Sequence, residues 1–182
     1  EKSALFAGDK HFIGYYLDNE LPFASYQNGD PLRGIDLKHF LSLPDRYKAA
    51  RTYAEKFMQE RGIVSPAAIT KADQEDFRGV VSDYYYQLTT TTVRRYDTEH
   101  LILGTRLHDW SKYNQKVVEA CARYCDVVSV NYYGRWQPET DFLANLKAWC
   151  AVKPFLVSEF YTKAEDASYK GVEYANTEGG GW

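Results

Sequence analysis

The chain has 182 residues, of which 45% are hydrophobic and 16% aromatic, a size and composition that suit one globular core. With 22 basic and 25 acidic side chains and no basic patch, the sequence predicts no nucleic-acid partner. No apolar run of about eighteen residues exists, so we expect no membrane span. No signal peptide is visible, and the chain opens without an initiator Met, as if cut from something longer.

The first half of the chain predicts one strand and two long helices. The run FIGYYL at 12–17 is typical of a buried strand, yet the polar DNE of 18–20 follows it directly. Residues 43–62 place apolar side chains at helical spacing and end in glycine. A second helix is predicted from about 73 to 96, with acidic residues in its first turn. Four threonines at 89–92 are poor helix formers, so this helix is expected to be strained or shorter.

The second half of the chain alternates short apolar strands with amphipathic helices. Strands are predicted at Leu101–His108, Asp126–Tyr133 and Lys153–Tyr161, with helices at 113–125 and 139–150 between them. Such alternation is typical of parallel βαβ units and gives four strands joined by three crossovers. The cysteines Cys121, Cys125 and Cys150 fall in or at the ends of the helices, which predicts buried thiols rather than a disulfide framework or a zinc site.

Each predicted strand finishes in polar residues. They are Asn19 and Glu20, Arg106 and His108, Asn131 with Tyr132 and Tyr133, and Ser158 with Glu159. Parallel strands that all deliver polar groups at their C-terminal ends are how a (β/α)8 barrel builds its site. A whole barrel takes about 250 residues. We therefore predict an α/β fold in which residues 1–182 form about half of a TIM barrel, and the ending NTEGGGW indicates a fragment of a larger barrel.

The two strand-end glutamates suggest a reaction. In a closed barrel, Glu20 and Glu159 would meet at one polar, aromatic-lined mouth, and two facing carboxyl groups are what glycoside hydrolysis needs. One carboxyl group is protonated and donates its proton to the leaving oxygen. The other is ionised and attacks the anomeric carbon or activates water. The alternative is that each glutamate only pairs with a neighbouring Arg or Lys. The sixteen Tyr and four Trp leave a similar choice between a tyrosine-rich core and a sugar-binding groove.

The pattern YYLDNE followed three strands later by PFLVSEF resembles the large clan of (β/α)8 retaining glycoside hydrolases, clan A. The resemblance implies that the four strands are strands four to seven of the barrel. It implies that Glu20 is the acid/base, that Asn19 binds the sugar 2-hydroxyl, and that Glu159 is the nucleophile. Adjacent residues of a regular strand face opposite ways, so Asn19 and Glu20 can both reach the substrate only if the strand end is bent or bulged.

The same resemblance extends to aromatic residues and to a substrate. Tyr132 or Tyr133, in NYY, would hydrogen-bond the nucleophile, and Trp182 would stack on a sugar. Within the clan, GYYLDNELPF and the final GGGW are most similar to bacterial β-agarases and porphyranases. This implies an oligo- or polysaccharide partner, an agar- or porphyran-type galactan, a secreted or periplasmic location, no cofactor, and the remainder of the barrel supplied by the same parent chain.

Further residues are candidates for contacts at the mouth. Arg106 and His108 share one strand face; Arg106 could ion-pair Glu159 or contact a sulfated or anhydro sugar, and His108 could bind substrate or serve structurally. Asn131 and Trp136 complete the substrate-binding candidates. Asp18 is expected to be structural and to bond loop amides.

One departure from the clan pattern and two rival functions remain open. About eighty residues separate the first two strands, which predicts an insertion at about 21–72 that walls one side of the cleft. One rival is a non-catalytic carbohydrate-binding or scaffold barrel. The other is a metal-dependent hydrolase that uses Asp18, Glu20, His108 and Glu159, although no paired-histidine signature is present.

Overall fold

The structure of the protein, a computed structural model, describes residues 5–24 and 34–161. In these residues, strands and α-helices follow one another along the chain. They are β1 Gly14–Tyr15, α1 Leu37–Leu41, α2 Lys48–Glu60, α3 Lys71–Arg94, β2 Leu101–Ile102, α4 Gln115–Tyr124, β3 Val128–Tyr133, α5 Thr140–Trp149 and β4 Phe155–Tyr161. Short 3-10 turns lie at Asp45–Tyr47, Pro66–Ala68 and Asp109–Tyr113. Every predicted strand and helix is present, and α1 is an addition that the sequence did not predict.

The strands form two small parallel sheets. In the first, β1 pairs with β2 through Gly14 and Leu101. In the second, β3 pairs with β4 along six residue pairs. Among the described residues, an isolated parallel bridge connects Leu107, in the segment after β2, to Val130 of β3. The fold is therefore α/β with parallel strand pairs in chain order, whereas the single sheet of four long strands that we expected is interrupted in its middle.

The interruption lies in the predicted strand Leu101–His108, which is shorter than expected. Gly104 and Arg106 have φ of +80° and +53°, which no β-strand accommodates. A Cβ at Gly104 would also stand 3.2 Å from both the Cys121 sulfur and the Val127 carbonyl oxygen. The chain therefore leaves strand geometry after Ile102 and regains it only at Leu107.

Helix α3 runs unbroken through its four threonines, so they do not shorten it, although it ends at Arg94 and not at Tyr96. The Thr90 hydroxyl donates to the Tyr86 carbonyl at 2.7 Å, and Thr92 donates to Leu88 at 2.7 Å. These bonds to the preceding turn satisfy hydroxyls that would otherwise compete with the helix. Packing of the same helix against α4 adds tertiary stabilisation that propensity does not measure.

The core lies where α3, α4 and α5 cover the strands. Cys121, Cys125 and Cys150 are all buried and unbridged, as predicted. Tyr86 is fully buried in this core, whereas Tyr84 on the same helix is exposed. None of the helices in the described ranges is long and apolar enough to cross a membrane.

Contacts from α3 and from the turn after β2 fix the chain just beyond Glu20. The Arg78 guanidinium donates to the Phe23 carbonyl at 3.1 Å, and the Ala24 amide donates to the Ser111 hydroxyl at 3.1 Å. Because this segment follows Glu20 directly, its anchoring also limits the positions that Glu20 can take.

Candidate active site

Four chain segments bring polar side chains together at the C-terminal ends of the strands. Glu20 follows β1, Arg106 and His108 follow β2, Asn131 and Tyr133 lie on β3, and Glu159 lies on β4. Asn131 and Glu159 are partners in the parallel ladder. The candidate site is therefore built from residues far apart in sequence, on strands whose order along the chain is also their order in space.

Glu20 is held by its backbone and by its carboxylate. Its amide donates to the Thr105 carbonyl at 3.0 Å, and its φ of +55° turns the chain out of strand geometry. The strand end is therefore bent at Glu20, which is a condition for Asn19 and Glu20 both to reach one substrate. Asn131 Nδ2 donates to Glu20 Oε1 at 2.6 Å, and His108 Nδ1 lies 3.7 Å from the same oxygen.

Glu159 has a different set of neighbours. The Arg106 guanidinium forms an ion pair with Oε1, and the Tyr133 hydroxyl donates to Oε2. The Arg106 backbone amide donates to Ser129 Oγ at 2.9 Å, and its guanidinium lies over the Tyr16 ring, 5.3 Å from the centroid. A cation and a hydroxyl donor on one carboxylate favour its ionised form. The two glutamates therefore experience unlike environments.

An aromatic wall connects the surroundings of the two carboxylates. The rings of His108 and Tyr133 meet edge to face at 5.5 Å, and Tyr133 meets Tyr161 at 5.5 Å. His108 Nδ1 is buried and has no hydrogen-bond partner among the described residues. Flat rings beside carboxylates are suitable for binding the apolar face of a sugar.

Two of the predicted substrate contacts have other partners. Tyr132 is 3% exposed, and its hydroxyl contacts Glu139, donating to Oε2 at 3.3 Å and accepting from the amide at 3.1 Å. Strand alternation turns it away from its neighbour Tyr133, which occupies the position on Glu159. Asn131 is 0% exposed, with its amide group bonded to Glu20 and to Ser158. It therefore supports a carboxylate instead of facing solvent.

The remaining candidates lie at the margin of this cluster. Asn19 is exposed, and its backbone amide donates to Asp18 Oδ1 at 2.8 Å. Trp136 is 68% exposed in the turn after β3. The sugar-stacking candidate Trp182 lies outside the described residues.

Asp18 has the structural character that the sequence predicted. Its Oδ1 accepts a hydrogen bond from the Asn19 amide, and its charge acts on the nearby Tyr85. Burial raises the pKa of Tyr85, and the negative charge of Asp18 raises it further. Among the described residues, no group of three or more His, Cys, Asp or Glu side chains could hold a metal ion.

Sequence reasoning missed three residues that complete the site. Tyr16 supports Arg106, Ser129 accepts from the Arg106 amide, and Ser158 donates to Asn131. Tyr16 could have been found, because it stands four residues before Glu20 and shares its face in an alternating strand. The roles of Ser129 and Ser158 depend on the conformations of two different strands, which no local pattern specifies.

The chain is similar to solved structures of glycoside hydrolase family 50 proteins. It is 33% identical to BpGH50, with a TM-score of 0.78, over 91% of this chain and 35% of that chain. It is 26% identical to the agarase AgWH50C, with a TM-score of 0.62, over 87% of this chain and 23% of that one. It is 26% identical to an exo-β-agarase, with a TM-score of 0.63, over 85% of this chain and 24% of that chain.

The chain thus spans about a quarter to a third of the length of these relatives. No protein-family model matches the sequence, and no curated protein matches it.

Proposed function

We propose that the chain is part of a retaining glycoside hydrolase that cleaves an agar-type galactan, with Glu20 as acid/base and Glu159 as nucleophile. The observation that carries the proposal is the unlike surroundings of the two carboxylates. Glu159 contacts a guanidinium and a phenol, whereas Glu20 contacts an amide and a histidine ring. Similarity to an agarase and an exo-β-agarase supports the substrate class.

In the first step, a Glu159 oxygen attacks the anomeric carbon while the glycosidic C–O bond breaks. Glu20 gives its proton to the departing oxygen, which leaves as an alcohol. The negative charge on Glu159 is consumed as the ester forms, so Arg106 and the Tyr133 hydroxyl bind it most strongly before attack and after release. Glu20 ends this step ionised.

In the second step, Glu20 takes a proton from water, and the hydroxide formed attacks the anomeric carbon. The bond to Glu159 breaks, and both carboxyl groups return to their starting states. Because each step inverts the anomeric carbon, the product retains the configuration of the substrate.

The wider architecture belongs to the same proposal. The four strands would be strands four to seven of a (β/α)8 barrel whose remainder comes from the same parent chain. Residues 21–72 would be an insertion that walls the cleft, and Asn19, Trp136 and Trp182 would contact the galactan. Such a substrate is a large polymer, which favours a secreted or periplasmic enzyme.

Azide rescue of alanine variants in the full-length protein tests the two roles. Glu159→Ala should lose nearly all turnover, and azide should restore it with inverted product, since azide replaces the nucleophile. Glu20→Ala should spare activated aryl glycosides, and azide should attack the glycosyl-enzyme and give retained product. Glu60→Ala, a change at an exposed glutamate on α2, is the matched control and should leave both rates unchanged.

The stereochemistry of rescue distinguishes the assignments. Inversion at Glu20 and retention at Glu159 would mean that the roles are exchanged. If both variants lose less than about tenfold in kcat/KM, or about 1.4 kcal/mol of transition-state stabilisation, the glutamates are structural. A sugar-binding protein that lacks hydrolysis in its unsubstituted form would instead support the non-catalytic alternative.

A further inference from the structure

A bulge in β4 changes the direction in which Ser158 points. Val130 pairs with Val157, but the next residue of β3, Asn131, pairs with Glu159, so Ser158 is an extra residue without a ladder partner. In a regular strand, Ser158 and Glu159 would face opposite sides of the sheet. The extra residue bends the strand and lets the Ser158 hydroxyl and the Glu159 carboxylate both contact groups of the candidate site.

Ser158 contacts the oxygen end of the Asn131 amide, while the nitrogen end faces Glu20. Ser158 Oγ lies 2.8 Å from Asn131 Oδ1 and 3.2 Å from the Val130 carbonyl oxygen. The hydroxyl has a single proton to donate, and the amide oxygen is its closer acceptor. With Oδ1 held in this way, the amide NH2 group points at Glu20 Oε1. All the polar atoms of a fully buried asparagine side chain are then directed by its neighbours.

We infer that Ser158 and Asn131 are positioning residues that orient the Glu20 carboxyl group and assign its proton to Oε2. Oε1 accepts the Asn131 hydrogen bond at 2.6 Å, whereas Oε2 accepts none from the residues that the structure describes. An oxygen that already accepts an N–H donor is a poor place for a proton, so the proton that reaches the leaving oxygen resides on Oε2. The inference rests on the proposed acid/base role of Glu20 and adds the residues on which that role depends.

The relay of Ser158, Asn131 and Glu20 predicts a leaving-group effect. In Ser158→Ala, the asparagine amide loses the bond that fixes its orientation, so proton delivery weakens while the nucleophile remains in place. We expect kcat/KM to fall about tenfold on an agaro-oligosaccharide and less than about threefold on a nitrophenyl galactoside, which needs no protonation. Ser158→Thr keeps a hydroxyl and should recover most of the loss.

The experiment uses the full-length protein and a matched control. Ser82→Ala removes another buried serine hydroxyl, one without a hydrogen-bond partner in the part of the chain that the structure describes, and should change kcat/KM on neither substrate. Asn131→Asp provides a second variant: it replaces the donor with a like charge, so the alkaline limb of the kcat/KM profile should move to higher pH as Glu20 keeps its proton longer. This readout remains available if Ser158→Ala fails to fold.

Glu20→Ala, measured beside these variants, distinguishes a failure of the relay from a failure of the acid/base role of Glu20. If Glu20→Ala shows the leaving-group effect and Ser158→Ala slows both substrates equally, the relay is wrong and the proposed function stands. If Glu20→Ala itself shows no leaving-group effect, the acid/base assignment fails and the relay fails with it. An unchanged alkaline limb in Asn131→Asp would also overturn the relay.

Discussion

The carboxylate of Asp97 and the imidazole of His100 form a buried pair close to β1 and β2. The Tyr15 hydroxyl donates to Asp97 Oδ2 at 2.6 Å, and His100 Nδ1 lies 2.7 Å from the same oxygen. His100 Nε2 lies 2.8 Å from the Asp9 carbonyl oxygen. Both ring nitrogens therefore face acceptors, and only the protonated ring can donate to both.

The charge states of this pair follow from those contacts. The Asp9 carbonyl and the Asp97 carboxylate raise the pKa of His100 above its ordinary value. Burial would raise the pKa of Asp97, but hydrogen bonds from Tyr15 and His100 outweigh burial and hold it well below its ordinary range. The contribution of protonated His100 to the free energy of unfolding is present at low pH and is lost as pH rises through the raised pKa of the ring. The stability from Asp97 is present at higher pH and is lost as pH falls through its lowered pKa.

Both contributions are therefore present together between about pH 4 and about pH 6.5. We expect His100→Gln to destabilise the full-length protein more at pH 5.5 than at pH 9, measured by urea denaturation. His11→Gln, a change at an exposed histidine, is the control and should show no such difference. A loss for His100→Gln that does not vary with pH would mean that the ring acts only by packing.

Among the helices, α3 connects most of the described structure, because it contacts α1 and α4 and anchors the segment after Glu20. Its first turn is closed by a capping box. Thr70 Oγ1 accepts the Asp73 amide at 3.2 Å, and Asp73 Oδ2 accepts the Thr70 amide at 2.9 Å. The hydrogen bonds from Thr70 lower the pKa of Asp73, which keeps a negative charge at the positive end of the helix.

Removing this cap should weaken the helix as a unit. We expect Thr70→Ala to lower the free energy of unfolding by about 0.5–2 kcal/mol, measured by denaturant titration. Thr92→Ala is the control, since it removes an exposed threonine within the same helix and substitutes a better helix former. If the two variants lose the same stability, the capping box contributes nothing.

At the level of the whole molecule, the outer strands carry exposed apolar side chains. On β4, Phe160 is 78% exposed, and Ile13, next to β1, is 72% exposed. Each of these strands pairs on one side only among the described residues. Unpaired strand edges with apolar side chains are templates for association. In the proposed barrel, the neighbouring strands of the parent chain would cover them.

The isolated chain of residues 1–182 should therefore self-associate, and Phe160→Ser should reduce the association. Sedimentation velocity over a range of concentrations measures this directly. Val152→Ser, which changes an exposed valine in the turn before β4, should have a smaller effect. A monodisperse monomer at every concentration would count against the half-barrel.

Local patterns in the sequence determined the order of the secondary structure. Apolar runs and helical spacing predicted all four strands and the long helices, because burial of one face imposes a period on the chain. The positions of Glu20 after the first strand and of Glu159 late in the fourth strand followed in the same way. The cysteines were also predicted correctly as buried apolar side chains.

Only the tertiary structure decided which side chains meet. The choice between Tyr132 and Tyr133 depended on which face of β3 turns towards Glu159, and the partner of Asn131 depended on a bulge in a different strand. The break after Ile102 depended on close contacts around Gly104 from α4 and the segment before β3. A sequence pattern reports which residues prefer burial, whereas the pairing of polar groups is fixed by contacts between segments distant in the chain. For this reason the order of the strands was predictable, and the hydrogen bonds that orient the two glutamates were not.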